Sequence, residues 1–340
     1  MVCHSAFVRG ILFAFFASSC FLTDFLPCEL QAVEQATESS KESTKPIVPY
    51  SPEDFAAMRV TDAWAKYADR LTWGRGQCLA ILDDGCDLTQ EQWQAKLPWG
   101  PKVLARYDAV DGDDDPSHVK PGYHGTTVGY PSSLFYKNIR GVAYNDYVAH
   151  VRSVSVVHLT QDETATIAAA MNWVIENHKK YNITTVNLAV LDDQQHQAPL
   201  ATSIDKPLAE LRKLGIWVSA PCGNHNYTEG ISWPACQENV VAIGATVPGK
   251  HTVHLDRYKN TALLVSATAT SSSNAYAAGA AMILREAIEK GKYDWKQHGE
   301  TLPEAMLTIF QQTGRKIEDP QTGVTFRELD LLTALEFVWP

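Results

Sequence analysis

The sequence predicts an α/β fold in which helices wrap a mostly parallel β-sheet. Short apolar runs rich in β-branched residues alternate with segments of helical periodicity, an alternation typical of parallel sheets. Most of these runs are apolar throughout, as strands covered on both faces are. Apolar residues make up 45% and charged residues 20% of the chain, which excludes disordered and fibrous proteins.

The predicted strands are residues 79–83, 149–157, 184–191, 215–220, 240–245 and 263–267. Between the second and third strands, apolar residues from Ile167 to His178 share one helical stripe. Another helix is expected to begin near Ser271, and its many Ala and Gly residues favour close packing in the centre of the fold. Thr301 and Pro303 predict the start of a third helix, and Gly314 its end.

The N-terminus predicts export. Arg9 precedes an apolar run at residues 11–22, which is too short to span a bilayer but suits the core of a signal peptide. Leu30-Gln31-Ala32 is a small-residue cleavage site, so residues 1–32 are predicted to be a signal peptide. Two alternatives remain: a buried N-terminal helix, and a lipoprotein acylation site at Cys20.

After the signal peptide, residues 33–49 predict a flexible polar leader, and residues 50–340 a single catalytic domain. The mature chain is expected to have no transmembrane span, and its oligomeric state cannot be read from the pattern. Its four remaining cysteines are Cys78, Cys86, Cys222 and Cys236. An extended run would hold the first two roughly 26 Å apart, beyond disulfide reach. Cys222 and Cys236 either form a bridge or stay as buried thiols.

The charge pattern argues against nucleic acid as a partner and suggests Ca²⁺ as a possible bound ion. The net charge of -10 and the lack of any long basic block argue against nucleic acid. The acidic run at residues 111–115 is either a structural Ca²⁺ site or a solvated loop. No HExxH motif and no phosphate-binding glycine loop occurs, so neither a metal hydrolase nor a nucleotide enzyme is supported.

Three segments place reactive side chains at the edges of predicted elements. Asp83 ends the apolar strand in LAILDDGCD, His124 begins a helix in HGTTVG, and Ser271 stands at the head of the helix in ATSSSNAYAAGAA. Together these types suit acyl transfer, since an imidazole activates the hydroxyl and a carboxylate orients the imidazole. The chain order Asp, His, Ser is one of the known orders of such a triad.

These motifs resemble those of the subtilases, the family of subtilisin-like serine peptidases. HGTTVG is similar to the family's HGTHVAG, and ATSSSNAYAAGAA to GTSMAxPHVAGAA. APCGN is similar to AAGN, which makes Asn224 the side-chain donor of the oxyanion hole. The resemblance implies a three-layer α/β/α fold, peptide or protein substrates, and no cofactor in the chemistry. The segment YDAVDGDDDPSH, together with Asp84, resembles the kexin branch.

The chain also departs from the family pattern. Where the family has an S-x-G strand beside the first specificity pocket, this chain has Ala189-Val190-Leu191, which narrows the pocket or displaces a substrate backbone contact. Asp192 and Asp193 follow and are candidates for favouring a basic residue before the scissile bond. The sequence therefore predicts an exported serine endopeptidase. The alternative is a degenerate subtilase fold that binds peptides without cleaving them.

Overall fold

The computed structural model describes residues 46–117, 124–159 and 162–340. The predicted signal peptide and the leader up to residue 45 lie outside the described residues. The end of the leader is part of the fold, because Val48–Pro49 forms a short strand (β1) that pairs with Ile139–Arg140. Pro46–Pro340 forms one compact unit.

The strands after β1 are short and regular. In chain order they are β2 (Cys78–Asp83), β3 (Lys96–Leu97), β4 (Gly100–Pro101), β5 (Val103–Asp108), β6 (Phe135–Tyr136), β7 (Ile139–Arg140), β8 (Tyr147–Arg152), β9 (Ile183–Leu188), β10 (Trp217–Pro221), β11 (Val241–Thr246), β12 (Val253–His254), β13 (Leu263–Ser266), β14 (Arg315–Glu318) and β15 (Thr325–Glu328).

The helices range from single turns to a long central one. They are α1 (Pro52–Ala57), α2 (Val60–Lys66), α3 (His124–Val128), α4 (Tyr130–Ser133), α5 (Thr164–Tyr181), α6 (Asp205–Lys213), α7 (Thr270–Gly291), α8 (Leu302–Thr313) and α9 (Leu331–Val338). A 3₁₀ turn, Trp295–His298, precedes α8. No helix among the described residues combines the length and apolarity needed to cross a bilayer.

Within the described residues, ten strands form one sheet in the order β14-β15-β13-β11-β10-β9-β2-β8-β5, with β12 beside β11. Every neighbouring pair from β15 to β5 is parallel, whereas β14 and β12 pair antiparallel. The carboxyl ends of the parallel strands therefore meet at one edge, which is where open α/β sheets hold their sites.

Two apolar cores cover the two faces of this sheet. One core contains the inner faces of α1, α2, α7, α8 and α9, and the other contains those of α5 and α6. This arrangement confirms the predicted three-layer α/β/α architecture with a mostly parallel sheet. Helix α7 is central, as its small residues predicted, because nearly all of its side chains from Thr270 to Ile288 are buried.

Helix α8 matches its predicted boundaries. At its start the side chain of Glu304 accepts the N–H of Thr301 at 3.0 Å, and Gly314 follows its last residue. The predicted strand at residues 149–157 is wrong at its end, since β8 stops at Arg152. Beyond it, the backbone N–H groups of Ser153 and Val154 turn to the carbonyl of Asp83, at 2.8 and 3.4 Å, and end the strand.

The four cysteines of the described region are all free and buried. Cys222 and Cys236 are therefore unpaired buried thiols in this structure and do not form the bridge that the sequence also allowed. Burial raises the pKa of both thiols to about 12, so neither is a thiolate near neutral pH.

Candidate active site

The first element of the site is a carboxylate and imidazole pair at the end of a central strand. β2 lies between β9 and β8 and all six of its residues are buried, so its last residue, Asp83, is only 1% exposed. Asp83 Oδ2 lies 2.7 Å from Nδ1 of His124, the first residue of α3. This contact orients the ring so that Nε2 is the nitrogen left to exchange a proton.

The environment of this pair favours the charged imidazole. Burial lowers the pKa of His124, but the negative charge of Asp83, the hydrogen bond to it and the charge of Asp84 outweigh that effect. The pKa of His124 is therefore raised above its ordinary value of 6.5. A histidine so placed accepts a proton more readily than a free imidazole.

Asp84 holds the backbone that carries His124. Its Oδ1 accepts the N–H of Gly125 at 2.9 Å, and its Oδ2 accepts the N–H of His124 at 3.4 Å. α3 packs tightly on the end of β2: a Cβ on Gly125 would lie 2.1 Å from the carbonyl oxygen of Gly85 and 2.9 Å from Cβ of Asp83. Glycine at 125 is what permits this approach.

Ser271 is the second residue of α7, and it is 6% exposed. Its position at the helix N-terminus surrounds it with backbone donors that have no intrahelical partner. Helices α3 and α7 are in contact, which brings the segments of His124 and Ser271 to one side of the sheet. Among the described residues, however, the Ser271 hydroxyl has no hydrogen-bond partner, so the bond from Ser271 to His124 is not formed in this structure.

Asn224 is tied to the start of the same helix. It follows β10, and its Oδ1 accepts hydrogen bonds from the N–H of Thr270 at 2.9 Å and from its hydroxyl at 3.0 Å. Both bonds hold the carbonyl end of the amide, so the NH₂ end points away from Thr270. Thr270 precedes Ser271, so these bonds tie Asn224 to the residue next to the candidate nucleophile.

Asp256 shapes the loop on which Asn224 lies. Its Oδ1 accepts the N–H groups of His225 at 2.7 Å and Tyr227 at 2.9 Å. Gly223 has a φ of +117°, and a Cβ there would lie 2.1 Å from Oδ2 of Asp256. Sequence reasoning missed Asp256 and Thr270, because neither contact follows from spacing along the chain.

The segment expected to line the first specificity pocket is closed by the protein itself. Ala189, Val190 and Leu191 are fully buried. The N–H of Leu191 bonds to the carbonyl of Val157, and its carbonyl accepts the N–H of Leu159. The backbone of Leu191 is therefore paired on this side with the chain at residues 157–159.

The two acidic residues that follow have partners within the protein. Asp192 accepts hydrogen bonds from Ser232 and Trp233 through Oδ1, and its Oδ2 lies 2.6 Å from His196 Nε2. Asp193 Oδ2 lies 2.6 Å from Nδ1 of His158. Asp192 thus ties its own loop to the segment that carries Ser232 and Trp233, and Asp193 pairs with an exposed histidine.

Several side chains in and near the acidic run at residues 111–115 have partners within the protein. Arg152 binds both Asp108 and Asp111, at 2.9 and 2.6 Å. Asp113 and Asp115 each accept a backbone N–H two residues further on. Across the described residues, no three His, Cys, Asp or Glu side chains are grouped so that they could hold a metal ion.

Comparison with known proteins agrees with this architecture. A model described as the subtilase family matches residues 74–263. This range is more than half of the sequence, and the chain belongs to the subtilase family.

Its curated relatives include fungal proteins. Subtilisin-like protease 5 of Trichophyton tonsurans is 24% identical over 174 residues, which cover 51% of this chain and 39% of that protein. Subtilisin-like protease 1 of the same organism is 24% identical over 176 residues, covering 51% and 31%. The matched region therefore covers between about three tenths and two fifths of the length of these curated relatives.

Solved structures share the fold. One, described as proteases from Pseudoalteromonas arctica PAMC 21717, has a TM-score of 0.66 at 16% identity and covers 87% of this chain and 100% of its own. Another, a cold adapted subtilisin-like serine proteinase, has a TM-score of 0.57 at 18% identity and covers 76% and 90%. At these identities the likeness is one of fold.

Proposed function

We propose that this chain is an exported serine endopeptidase that cleaves peptide bonds through Asp83, His124 and Ser271. The observation that carries the proposal is the 2.7 Å contact from Asp83 to His124 at the sheet edge where α7 presents Ser271. Family membership supports the reaction class.

In the proposed reaction, Ser271 Oγ attacks the scissile carbonyl and His124 Nε2 takes its proton. Asp83 holds the imidazole by Nδ1 and stabilises its charged form. The amide of Asn224 and the free backbone N–H groups at the start of α7 receive the negative charge of the tetrahedral intermediate. His124 then protonates the leaving amine, and water hydrolyses the acyl-enzyme by the reverse sequence. No cofactor takes part in these steps.

The hydroxyl of Ser271 must come within hydrogen-bond reach of His124 for the first step. In free enzymes such contacts are often long and shorten when substrate binds. The proposal therefore requires that the Ser271 hydroxyl reach His124 when substrate binds. Export is part of the same proposal, and sequencing the N-terminus of the mature protein tests cleavage after Ala32.

A fluorophosphonate probe tests the nucleophile directly, because it labels only an activated serine. We expect the wild-type protein and Ser272→Ala to be labelled, and Ser271→Ala to remain unlabelled. Ser272 is a matched control because it is the next residue of the same helix and is half-buried. A folded wild-type protein that is not labelled, or a Ser271→Ala protein labelled equally well, would refute the triad. Binding of peptides without labelling would instead favour the degenerate, peptide-binding alternative.

A further inference from the structure

A buried arginine, Arg257, contacts the loop that follows β10 and carries Asn224. The residue is 2% exposed, and it comes directly after Asp256, whose side chain bonds to that loop. The backbone N–H of Arg257 donates to the carbonyl of Tyr227 at 3.0 Å. Burying a guanidinium costs free energy unless its charge and its N–H groups have partners. The partners of Arg257 therefore identify the segments of the chain that it joins.

The guanidinium joins two segments that are distant in the sequence. Nη1 donates to Oδ1 of Asn226, in the loop after β10, and to the carbonyl of Leu255 at 2.9 Å. Nε donates to Oδ2 of Asp319 at 2.9 Å, and Nη2 donates to Oδ1 of Asp319 at 3.4 Å and to Oε1 of Gln321. The five N–H groups of an arginine are thus matched by five acceptors.

The far side of this contact is the hydrogen-bonded turn between β14 and β15. Within the turn, Asp319 accepts the hydroxyl of Thr322 at 2.8 Å, and its N–H donates to the carbonyl of Val324 at 3.0 Å. Burial raises the pKa of Asp319, but hydrogen bonds from Arg257 and Thr322 outweigh that effect and lower the pKa below its ordinary value. Asp319 is therefore a carboxylate near neutral pH, and its charge pairs with the guanidinium.

The near side is the loop on which Asn224 lies. The N–H of Asp256 donates to the carbonyl of Gly223 at 3.2 Å, and Oδ1 of Asp256 accepts the N–H of His225 at 2.7 Å. Both chain neighbours of Asn224 are therefore bonded to Asp256. Two positions further on, Asn226 has a φ of +62°, in the left-handed region, and its amide oxygen accepts from the guanidinium.

The position of this loop matters for the proposed reaction. An oxyanion donor acts only where negative charge develops, and removing one donor typically costs about 10²–10³ in rate. A misplacement of about 1 Å can cost roughly 10²-fold. A contact that fixes the loop of Asn224 therefore affects the rate even though it does not touch the substrate.

We propose that Arg257 is a positioning residue for oxyanion stabilisation. By joining the turn between β14 and β15 to Asn226, it fixes the loop that carries Asn224. The inference rests on the proposed peptidase function and adds to it a residue that lies outside the sequence motifs.

Substitutions at Asn226 test this role while the buried guanidinium stays in place. Asn226→Gly removes the acceptor and keeps the positive φ, which glycine adopts readily. Asn226 is exposed, so water can replace the lost acceptor and the fold is retained. Asn226→Asp restores an acceptor for the guanidinium.

The matched control is Asn239→Gly. Asn239 also has a positive φ, +65°, but it precedes β11 and so lies at the opposite edge of the parallel sheet from the loop after β10. Thermal unfolding first establishes that each variant is folded. The rate of fluorophosphonate labelling is then measured at increasing probe concentration, which separates the maximal rate from the concentration that gives half of it.

We expect Asn226→Gly to lose at least about tenfold in maximal labelling rate, with a half-saturating concentration within about threefold of wild type. The reason is that negative charge developing on the phosphoryl oxygen is stabilised less. Asn226→Asp should recover most of the rate, and Asn239→Gly should keep it. A purely structural role would lower the fraction of protein that is labelled, but not the maximal rate of that fraction.

A wild-type maximal rate in folded Asn226→Gly would overturn the inference. An equal loss in Asn239→Gly, or no recovery in Asn226→Asp, would do the same.

Hydrogen exchange separates this inference from the proposed function. Exchange at residues 223–227 is compared in Ser271→Ala, Ser271→Ala/Asn226→Gly and Ser271→Ala/Asn239→Gly. Loss of protection in the second protein alone supports the hold of Arg257 on the loop even if wild type is not labelled, a result that refutes the proposed function by itself. Equal protection in all three proteins would overturn the inference, while labelling could still support the peptidase.

Discussion

Lowering the pH should destabilise the protein through one buried histidine, His150. It lies in β8 and is 1% exposed, and its ring meets the edge of Trp93 at a centroid distance of 4.5 Å. Its Nε2 is buried without a hydrogen-bond partner among the described residues. Burial lowers the pKa of His150 from 6.5 to about 3, because a charged imidazole there would lose its hydration.

The sign and size of the effect follow from proton binding. Between pH 6.5 and about 3 the unfolded chain binds a proton at His150 and the folded protein does not, so stability is lost as the pH falls. At pH 8 the contribution is near zero. At pH 5 the unfolded group is mostly protonated, and the free energy of unfolding should be lower by about 2 kcal/mol.

Urea unfolding of Ser271→Ala protein at pH 8, 7, 6 and 5 measures this loss without self-cleavage. His150→Leu should lose about 2 kcal/mol less than its parent between pH 8 and 5, because other titrating groups cancel in the difference. Val151→Ala, in the same strand, is the control: it should be destabilised equally at every pH. Parallel pH profiles for His150→Leu and its parent would refute the assignment of a neutral buried imidazole.

Three further predictions concern buried charges and backbone contacts. Lys102→Ala leaves the fully buried Asp146 without its cationic partner and should cost about 3–5 kcal/mol in urea unfolding; a loss below about 1 kcal/mol would contradict this prediction. Asp84→Asn removes a charge that raises the pKa of His124, so the acid limb of the plot of fluorophosphonate labelling rate against pH should move to lower pH. An acid limb that does not move would count against this effect of Asp84 on His124. Gly125→Ala should greatly reduce the labelling rate, because its Cβ clashes with a backbone carbonyl, and normal labelling would show that α3 can shift freely.

Much of the fold could be predicted from the sequence because its central strands are buried on both faces. Runs such as residues 79–82 are apolar throughout, a pattern typical of strands that helices cover on both sides. The edge strand β5 was missed because its side chains are only partly buried and its composition is mixed. The antiparallel hairpin of β14 and β15 was missed for the same reason, since polar residues alternate with buried ones.

The site could be predicted only in part. Local motifs placed Asp83, His124 and Ser271 at the ends of elements, and parallel topology brings such ends to one edge. The contact of Asp83 with His124 was thus accessible to sequence reasoning. The hydrogen bond between Thr270 and Asn224 could not be predicted in this way, because it joins residues 46 positions apart through an amide oxygen. The backbone hydrogen bonds between the segments at residues 189–191 and 157–159 also depend on tertiary packing alone.

The groups that the motifs identify are positioned by groups that the motifs leave out. Asp84 fixes the backbone of His124, and Thr270 fixes the amide of Asn224. The unbonded hydroxyl of Ser271 is the part of the proposed machinery that is left to rotate. Because the fixed groups are held by hydrogen bonds to main-chain N–H groups, realigning His124 or Asn224 would require the helix or the loop to move. In the proposed reaction, the Ser271 hydroxyl is the group that must still form its hydrogen bond to His124.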